Sequence, residues 1–403
     1  MEWKEVRLGD VCNLIAGFAF KAKDFGEFPT KVIKIGDIKP PFVDYVGQVG
    51  VDISCYDINK LSKYTVRYGD YVLAMTGATI GKVGKYISEH PSYINQRVLK
   101  FAPKLDVDAD YINYTICSNI FAKYVVNYID SESAQPNISA PTISKFVFRI
   151  PKEKDDQRRI ASILSSLDRK IELNNKINAD LEEMAQAIFK NWFVDFEPFR
   201  DGKFVDSELG MIPEGWKVGT LGDITKNKSA KVKERNDVKV LSPVTTGELV
   251  LSEEYFTKQV FSSSIAKYKI VNKGDFAYNP ARVNIGSLGR NEFDFDGCVS
   301  PVYVVFSVLD GYENYFDLFR KTDFFKDSVA SLAIGGVRQS LSYDDLSLIE
   351  TIIPSEKIVE EFNNLYNEMK KTIKANKLEN SRLSLLRDTL LPRLMSGEIE
   401  VPD

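Results

Sequence analysis

Residues 160–192 read IASILSSLDRKIELNNKINADLEEMAQAIFKNW. Apolar side chains recur in this stretch at alternating steps of four and three residues, which is the heptad spacing of a coiled-coil seam. The seam comprises Ile160, Leu164, Leu167, Ile171, Asn174, Asn178, Leu181, Ala185, Ile188 and Trp192. The spacing therefore predicts one long helix with a continuous stripe, and two asparagines stand in the middle of that stripe.

The same template recurs once, 202 residues further along the chain. It falls on Phe362, Tyr366, Met369, Ile373, Asn376, Asn380, Leu383, Arg387, Leu390 and Leu394, so asparagines coincide with asparagines. A helix with such a stripe needs a partner, and the second helix can supply it. A duplicated unit closes about a pseudo-two-fold axis, which predicts antiparallel helices with the asparagines at their midpoint. The alternative is that the asparagines flank a frayed or solvated stretch.

The segments that precede the two helices also repeat. WKEVRLGD at 3–10 is echoed by WKVGTLGD at 216–223, and a Gly-Asp pair precedes a Gly-rich segment in both copies, at 76–84 and 284–289. Both parts are rich in Val, Ile, Tyr and Phe with Gly and Asp at turns, which predicts strands, with helices near 111–128 and 312–331. The chain is thus predicted to be an α+β protein. We expect a first domain at 1–150, a helix at 151–197, a linker at 198–213, a second domain at 214–354, and a helix with a tail at 355–403.

The composition indicates a globular protein, because 44% of the 403 residues are hydrophobic and 12% are aromatic. The sequence contains neither a run of about 18 apolar residues nor an apolar segment directly after Met1, so we expect a cytoplasmic location. The four cysteines are scattered and His90 is the only histidine, which argues against a metal site. The net charge of -4 gives no general affinity for nucleic acid, so DNA binding would depend on local basic patches.

Three short motifs resemble catalytic signatures but lack their partners. GATIGK at 77–82 is one residue short of a phosphate loop, and Val83 stands where a magnesium-binding Ser or Thr is needed. NPAR at 279–282 lacks the second proline and the aromatic residue of an amino-methyltransferase motif, and DFG at 24–26 lacks the rest of a kinase. The sequence therefore favours a non-catalytic chain over a self-contained methyltransferase or nuclease. A purely structural coiled-coil adaptor is a third possibility, but such an adaptor would not need the two strand-rich domains.

Polar side chains cluster on the Gly-rich turns of both copies. Arg pairs with guanine, Asn and Gln pair with adenine, and Lys, Ser and Thr contact phosphates, while glycine lets a backbone approach a groove closely. The candidate DNA-binding residues are Thr76, Thr79, Lys82, Lys85, Asn95, Gln96, Arg97, Arg282, Asn284, Ser287, Arg290, Arg338 and Gln339. Taken singly they could be ordinary polar loop residues, but their occurrence at matching positions in both copies favours DNA binding.

Large apolar side chains crowd the end of the first helix, around NWFVDF at 191–196, and exceed what one seam can bury. They either pack against the neighbouring domain or form a docking surface for another protein, since exposed aromatic patches mark interfaces. The candidate partner-binding residues are Phe189, Trp192, Phe193, Phe196, Leu390 and Leu394.

Four motifs together are typical of one protein family. They are Gly69-Asp70 with TGATIGKVG at 76–84, IELNN at 171–175, NWFVDF at 191–196 and LPRLMSGEIEV at 391–401. In these motifs the chain resembles the DNA-specificity subunits of type I restriction-modification systems. The resemblance implies two strand-rich target-recognition domains, separated by two long antiparallel coiled-coil helices, that each read one half of an interrupted site in double-stranded DNA. NIGSLG at 284–289 departs from the family's turn, as expected if the domains read different sequences.

The resemblance also implies partners. Two modification (methyltransferase) subunits would bind the chain, and restriction subunits with a translocase would complete the complex. S-adenosylmethionine, ATP and magnesium would be held by those partners, and no cofactor by this chain. A helix over 160–192 would be about 50 Å long at a rise of 1.5 Å per residue, which suits a ruler between readers on successive major-groove faces about 34 to 36 Å apart.

Overall fold

The computed structural model describes residues 1–129, 136–256, 258, 261–262, 264–333 and 340–401. Its contacts divide the chain into two compact units. Unit 1 comprises Met1–Asn175 and the chain from Lys377 onward, and unit 2 comprises Lys176–Asn376. Both divisions fall inside long helices, so each unit contains one strand-rich domain and a part of each helix.

The first domain, in unit 1, consists of strands with short helices between them. Its strands are β1 (Trp3–Arg7), β2 (Cys12–Ala16), β3 (Phe25–Ile33), β4 (Ile38–Lys39), β5 (Phe42–Val43), β6 (Val49–Val51), β7 (Thr65–Val66), β8 (Tyr71–Ala74), β9 (Val83–Lys85), β10 (Ser92–Ile94), β11 (Val98–Pro103) and β12 (Val147–Pro151). Its helices are α1 (Leu8–Val11), α2 (Ile58–Leu61), α3 (Ala109–Ile116), α4 (Asn119–Asn127) and α5 (Ala140–Ser144). The long helix α6 (Lys154–Phe193) follows and contains the predicted helical stretch.

The sheets of the first domain combine antiparallel and parallel pairs. One sheet has the strand order β2-β11-β8-β9-β5-β4, another has the order β6-β3-β10-β7, and β1 pairs with β12. Strands β3 and β10 run parallel, as do β5 and β9. In β11, Val98, Leu99 and Phe101 are buried, whereas Lys100 reaches the edge and binds the carboxylate of Asp70 at 2.7 Å. The polar residue of the strand thus keeps a partner while its neighbours form the core.

The second domain, in unit 2, is built in the same way. Two short strands, β13 (Phe204–Val205) and β14 (Ile212–Pro213), lie in the linker that precedes it. The strands of the domain itself are β15 (Lys217–Thr220), β16 (Thr225–Lys228), β17 (Lys239–Pro243), β18 (Leu249–Leu251), β19 (Lys269–Val271), β20 (Phe276–Tyr278), β21 (Leu288–Arg290), β22 (Gly297–Val299), β23 (Val304–Val308) and β24 (Glu350–Ile353). Its helices are α7 (Leu221–Ile224), α8 (Ser252–Tyr255), α9 (Glu313–Phe319), α10 (Asp323–Ala333) and α11 (Tyr343–Ser347), and the long helix α12 (Glu356–Ser396) follows.

The strand pairings show the internal repeat directly. The order β16-β23-β20-β21 reproduces β2-β11-β8-β9, the order β18-β17-β22-β19 reproduces β6-β3-β10-β7, and β15 pairs with β24 as β1 pairs with β12. Even the parallel pair β3·β10 returns as β17·β22. The predicted α+β fold with an internal repeat is therefore confirmed, and the first domain carries the hairpin β4–β5 in addition.

The helix predicted at 111–128 is observed as two, α3 and α4, and the one at 312–331 as α9 and α10. The Ser118 hydroxyl accepts a hydrogen bond from the Phe121 amide at 3.3 Å and so caps a new helix. The Thr322 hydroxyl does the same for the Phe325 amide at 3.2 Å. A capping side chain satisfies a first-turn N–H group that has no intrahelical partner, which is why the helix restarts at these positions.

The long helices pair in antiparallel fashion within each unit. In unit 1, Asn174 donates to Asn380 at 2.9 Å, and further back on α6 Asp168 accepts from Arg387 at 2.8 Å. Residue numbers therefore increase along α6 in the direction in which they decrease along α12, so the two helices are antiparallel. Every seam residue predicted from the heptad spacing is buried or half-buried, which confirms the seam.

The same pairing is observed independently in unit 2. Asn376 donates to Asn178 at 2.9 Å, and the rings of Phe189 and Phe362 lie 6.1 Å apart. The asparagines are thus hydrogen-bonded within the seam, which contradicts the alternative of a frayed or solvated stretch. Such amide pairs fix the register of two helices at some cost in stability.

The cores of both units include residues from the helices. In unit 1, Ile160 and Leu394 pack with Phe101 and Tyr111 of the first domain. In unit 2, Phe362 packs with residues such as Phe316 of the second domain. Each fully buried side chain of this size contributes about 2 kcal/mol of hydrophobic stabilisation. Each domain is therefore held firmly on the helix segments of its own unit.

Candidate nucleic-acid interface

The first Gly-rich turn connects β8 to β9 in unit 1. It contains a short 3-10 helix at Gly77–Thr79, and Gly77 and Gly81 have φ angles of 77° and 80°. Side chains other than glycine rarely adopt this left-handed region. The amide of Gly81 closes the turn by donating to the Ala74 carbonyl at 2.8 Å. The glycines are therefore required by the turn itself, before any ligand is considered.

The polar segment 95–97 lies beside this turn. Strands β8 and β11 are antiparallel neighbours, with Ala74 opposite Val98, and the Met75 amide donates to the Arg97 carbonyl at 3.0 Å. The structure thus brings the two groups of predicted DNA-binding residues in the first domain to one edge. Ile138 joins the same edge, because its amide donates to the Met75 carbonyl at 2.9 Å.

The second Gly-rich turn, between β20 and β21 in unit 2, has the same construction. It contains a 3-10 helix at Val283–Ile285, followed by Gly286 with a φ of 92°. The Asn279 amide closes the turn by donating to the Ser287 carbonyl at 3.1 Å. Leu341 repeats the role of Ile138 in the first domain, since its amide donates to the Pro280 carbonyl at 3.1 Å. The two edges are therefore related by the repeat.

Five predicted DNA-binding residues are exposed at these edges. They are Lys82, Gln96 and Arg97 in the first domain, and Arg282 and Asn284 in the second. The side chains of Lys82, Gln96, Arg282 and Asn284 have no hydrogen-bond partner among the described residues. Cationic and amide groups that face solvent on a rigid turn are suited to contacts with phosphates and base edges.

Lys85 and Arg290 end the strands that follow the two turns, and both are engaged inside the protein. Lys85 donates to Glu172 of α6 at 2.9 Å. Arg290 donates to Asn314 of α9 at 2.9 Å, and its guanidinium lies 5.8 Å from the ring centre of Phe276. Each side chain is thus already paired with a neighbouring element, and its contact with DNA stays a prediction.

Other predicted residues support the turns from within. The Thr79 hydroxyl donates to the Ile35 carbonyl at 3.1 Å, and the buried Ser287 hydroxyl donates to the Pro243 carbonyl at 2.9 Å. Thr76 and Asn95 are half-buried. For Ser287 the prediction of a phosphate contact is corrected, because its hydroxyl faces the interior. The predicted residues Arg338 and Gln339 lie outside the described residues.

A buried ion pair next to the second turn was not predicted from the sequence. Arg320 donates to Asp317 at 2.7 Å and also to the carbonyls of Leu288 and Gly247 at 2.9 and 3.1 Å. Burial alone would raise the pKa of Asp317, but the charges of Arg320 and of two nearby lysines outweigh it and hold the pKa at about 2. The only signal in the sequence was an Asp and an Arg at helical i,i+3 spacing.

The aromatic cluster at the end of α6 lies mostly in the core of unit 2. Phe189 and Phe193 are buried, Leu394 is buried in unit 1, and Trp192, Phe196 and Leu390 are half-buried. The rings of Phe193 and Phe362 are 5.0 Å apart in an edge-on arrangement. For Phe189, Phe193 and Leu394 the prediction of an exposed docking surface is therefore corrected, because these side chains pack within the chain itself.

Two other kinds of site were sought within the described part of the chain. No group of three or more His, Cys, Asp and Glu side chains there is placed to hold a metal ion. In the same residues, no helix combines the length and the apolar character that crossing a membrane requires.

A strand-rich domain that occurs twice, each copy packed on segments of two antiparallel helices and presenting a Gly-rich edge, defines a duplicated two-domain α+β protein. Residues 1–183 match the family model described as the type I restriction modification DNA specificity domain. The MjaIX type I restriction enzyme specificity subunit of Methanocaldococcus jannaschii is 28% identical over 344 residues, which cover 82% of this chain and 78% of that one. The HindI specificity subunit of Haemophilus influenzae is 25% identical over 99% of this chain and 100% of its own length.

A solved structure shares the fold over the full length. The crystal structure of the S subunit of a type I restriction-modification system from M. genitalium superposes with a TM-score of 0.57 and 14% identity, covering 100% of this chain and 96% of that chain. In sequence the chain is thus similar to the DNA-specificity subunits of type I restriction-modification systems, and the solved structure shows that it shares their fold. The prediction of a specificity subunit rather than an enzyme is confirmed by these comparisons.

Proposed function

We propose that the chain reads a bipartite site in double-stranded DNA, with one domain for each half of the site. The observation that carries this proposal is the repeat of the Gly-rich edge on two copies of the same sheet arrangement. Two similar but not identical edges are what a reader of two different half-sequences requires, because the scaffold stays constant while the exposed side chains differ.

The exposed side chains give each edge its chemistry. Lys82 of the first edge supplies a point charge for a phosphate, and Gln96 supplies an amide for adenine. Arg282 of the second edge supplies a planar fork for guanine, and Asn284 an amide for adenine. The bases that each edge selects would follow from these groups and from the shape of the turn that carries them.

In the same proposal the chain is the scaffold for two modification subunits and for the restriction subunits. The half-buried residues Trp192, Phe196 and Leu390 are the remaining candidates for contacts with these partners. Partially exposed aromatic side chains are enriched where protein interfaces form. S-adenosylmethionine, ATP and magnesium are proposed to bind to the partners, and the net charge of -4 agrees with DNA affinity that depends on the assembled complex.

The test is an exchange of one domain. The chain is combined with its modification subunit and a random DNA pool, and the methylated sequences are read. Replacing residues 214–354 with the second domain of a relative should change one half of a split motif and leave the other half and the spacing unchanged. The matched control replaces residues 1–150 and should change the opposite half. A continuous motif, or a change in both halves, would contradict the proposal.

Single substitutions refine the same experiment. Gln96→Ala should reduce base selectivity only in the half of the motif that the first domain reads, and Arg282→Ala only in the other half. Each substitution should remove about 1–3 kcal/mol of discrimination between bases. Lys4→Ala, at an exposed position of β1, is the control and should leave both halves unchanged. Equal loss at every position would indicate that Gln96 and Arg282 contact phosphates instead.

A further inference from the structure

The helix α6 presents two carboxylates to the first domain. Glu172 accepts a hydrogen bond from Lys85 at 2.9 Å, and Asp168 accepts one from the hydroxyl of Tyr114 at 2.6 Å. The Lys85 side chain is only 24% exposed, so this ion pair is less screened by water than an ordinary surface pair. The first domain therefore offers a cation and a hydroxyl donor to an acidic face of its helix.

The helix α12 presents the opposite polarity to the second domain. Lys370 forms an ion pair with Glu292, and Lys374 lies 3.2 Å from the carboxylate of Asp294. Hydrogen bonds from Lys273 and Lys374 lower the pKa of Asp294. The Lys370 side chain is 25% exposed, close to the value for Lys85. The second domain therefore offers carboxylates to a basic face of its helix.

The sequence repeat relates these helix positions to one another. The step of 202 residues that carries Asn174 onto Asn376 also carries Asp168 onto Lys370 and Glu172 onto Lys374. The apolar seam is thus kept between the two copies, while the charge on the face that meets the domain is inverted at both positions. Because the seams are alike, they do not by themselves decide which domain docks on which helix.

Hydrogen bonds between uncharged side chains also differ between the two copies. Asn314, which accepts from Arg290, also donates to Asn363 of α12 at 3.0 Å. The position on α6 that the repeat relates to Asn363 is Ala161, which has no polar side chain. The hydrogen bond to Asn363 is therefore specific to the second domain and its own helix.

We propose that the inverted charges form a docking key that assigns each domain to its own helix. The first domain on the α12 face would place Lys85 beside Lys374, and the second domain on the α6 face would place its carboxylates beside Asp168 and Glu172. Either exchange, within a folding chain or between two chains, replaces attraction by like-charge repulsion, which is a way to reject wrong partners. The key concerns pairing within the protein and is independent of the DNA-reading function.

The first test reverses one charge in the full-length chain. Glu172→Lys gives α6 the residue that α12 carries at the related position. We expect amide hydrogen exchange over residues 80–86 to accelerate about tenfold, because Lys85 then faces a like charge. The additional change Lys85→Glu should restore the original exchange rates. Failure of this rescue would overturn the proposal.

The matched control is Asp155→Lys, which makes the same charge change on α6 in unit 1. Asp155 is 85% exposed, and its ion-pair partner, Arg158, belongs to the same helix. Exchange over residues 80–86 should stay at the original rate in this variant. Acceleration equal to that of Glu172→Lys would show that net charge, rather than the specific pair, is responsible, and would also overturn the proposal.

The second test asks whether the key assigns domains. In a chimera, residues 214–354 are replaced by a second copy of residues 1–150, so a copy of Lys85 meets the basic face of α12. Lys374→Glu should slow proteolysis of this second copy several-fold, followed from a C-terminal tag, whereas in the natural chain it should speed proteolysis of the second domain. Effects of the same sign in both chains would refute the key. The rescue in the natural chain decides the question if the chimera does not fold.

Discussion

At the scale of single residues, the glycines of the two turns serve the packing of the protein first. A Cβ added to Gly289 would lie 2.5 Å from the Glu248 carbonyl carbon and 2.6 Å from the Leu249 amide nitrogen. Both atoms belong to the backbone and cannot move without shifting β18. From the sequence, the glycines of this segment were predicted to let the backbone approach DNA closely. The structure shows that Gly289 instead allows a close approach between two segments of the same domain.

We expect Gly289→Ala to lower the free energy of unfolding by about 2 kcal/mol or more, because the methyl group has no space and the strand pairing must shift. Gly36→Ala is the control, since a Cβ at Gly36 would meet no atom within 4 Å. Urea denaturation of both variants measures the difference. Equal stability of the two would show that the second turn relaxes more easily than its contacts indicate.

The ion pair of Asp317 and Arg320 has a predictable dependence on pH. The pKa of Asp317 is lowered to about 2, so the carboxylate binds fewer protons in the folded state than in the unfolded state. Its stabilising contribution is therefore present above the unfolded pKa of about 4 and is lost as the pH falls from there towards 2. We expect Asp317→Asn to lower the free energy of unfolding at pH 7 by about 3 kcal/mol, because the buried charge of Arg320 then has no carboxylate partner.

The pH profile separates this effect from a loss of packing. Between pH 4 and pH 2, the stability of the Asn variant should fall less steeply than that of the natural chain. Asp323→Asn, at a carboxylate that is 94% exposed and pairs with Lys326 on its own helix, should leave the profile unchanged. Parallel profiles for the natural chain and Asp317→Asn would contradict the assigned role of Asp317.

The residue scale also shows the limit of inference from sequence. The exposed set, such as Lys82 and Arg282, could be predicted because a polar residue in a Gly-rich turn usually faces solvent. The inward direction of Lys85 could not, because its partner Glu172 is 87 positions away and belongs to another element. Residue type indicates what a side chain can bind, whereas its actual partner depends on the tertiary fold.

At the scale of elements, the seam asparagines determine how the two long helices align. Asn174 is fully buried and donates to Glu379 at 2.7 Å and to Asn380 at 2.9 Å. The hydrogen bond from Asn174 also lowers the pKa of Glu379. A shift of either helix along the other would separate these groups and leave buried amides without partners. The asparagines therefore specify one register among those that the apolar seam allows.

The pair Asn178 and Asn376 permits a direct test of this role. Asn178→Leu should lower the free energy of unfolding by about 1–3 kcal/mol, because it leaves the Asn376 amide without its partner in the seam. The double variant Asn178→Leu/Asn376→Leu should be as stable as the natural chain or more stable, since no amide is left unpaired. Denaturant unfolding measures both variants.

Asn364→Leu is the control for this pair, since Asn364 lies on the exposed face of α12. It should change stability by less than about 0.5 kcal/mol. A double variant that is less stable than the single variant would show that the asparagines contribute stability rather than register.

The helices and the repeat could be predicted because heptad spacing is a local pattern that two copies reinforce. The division of the helix at 111–128 depended on a single capping residue, Ser118, within a continuous apolar pattern, and this signal is weak beside the pattern. The parallel pairing of β3 with β10 could not be predicted, since the two strands are far apart in sequence and only three residue pairs join them. Contacts between distant segments leave no periodicity in the chain.

At the scale of the whole molecule, the compact units do not follow the order of the chain. Unit 1 joins the N-terminal 175 residues to the last turns of α12 and the segment after it. Leu394 is 1% exposed and lies in the same core as Leu8 and Phe101. A Cβ at Gly397 would lie 2.9 Å from the ring of Trp3. Residues near the two ends of the sequence thus stabilise one another.

A substitution near the C-terminus should therefore destabilise the first domain rather than the second. We expect Leu394→Ala to lower the free energy of unfolding of unit 1 by about 3 kcal/mol, because it leaves a cavity in the core of the first domain. Hydrogen exchange should accelerate in peptides from residues 1–129 and stay unchanged in those from residues 214–256. Leu385→Ala makes the same change on the same helix at a position that is 70% exposed, and it should affect neither set of peptides. Acceleration confined to residues 214–333 would mean that Leu394 stabilises the domain that precedes it in sequence. The contacts of Leu394 instead require that it stabilise the first domain, because its side chain lies in the core of unit 1.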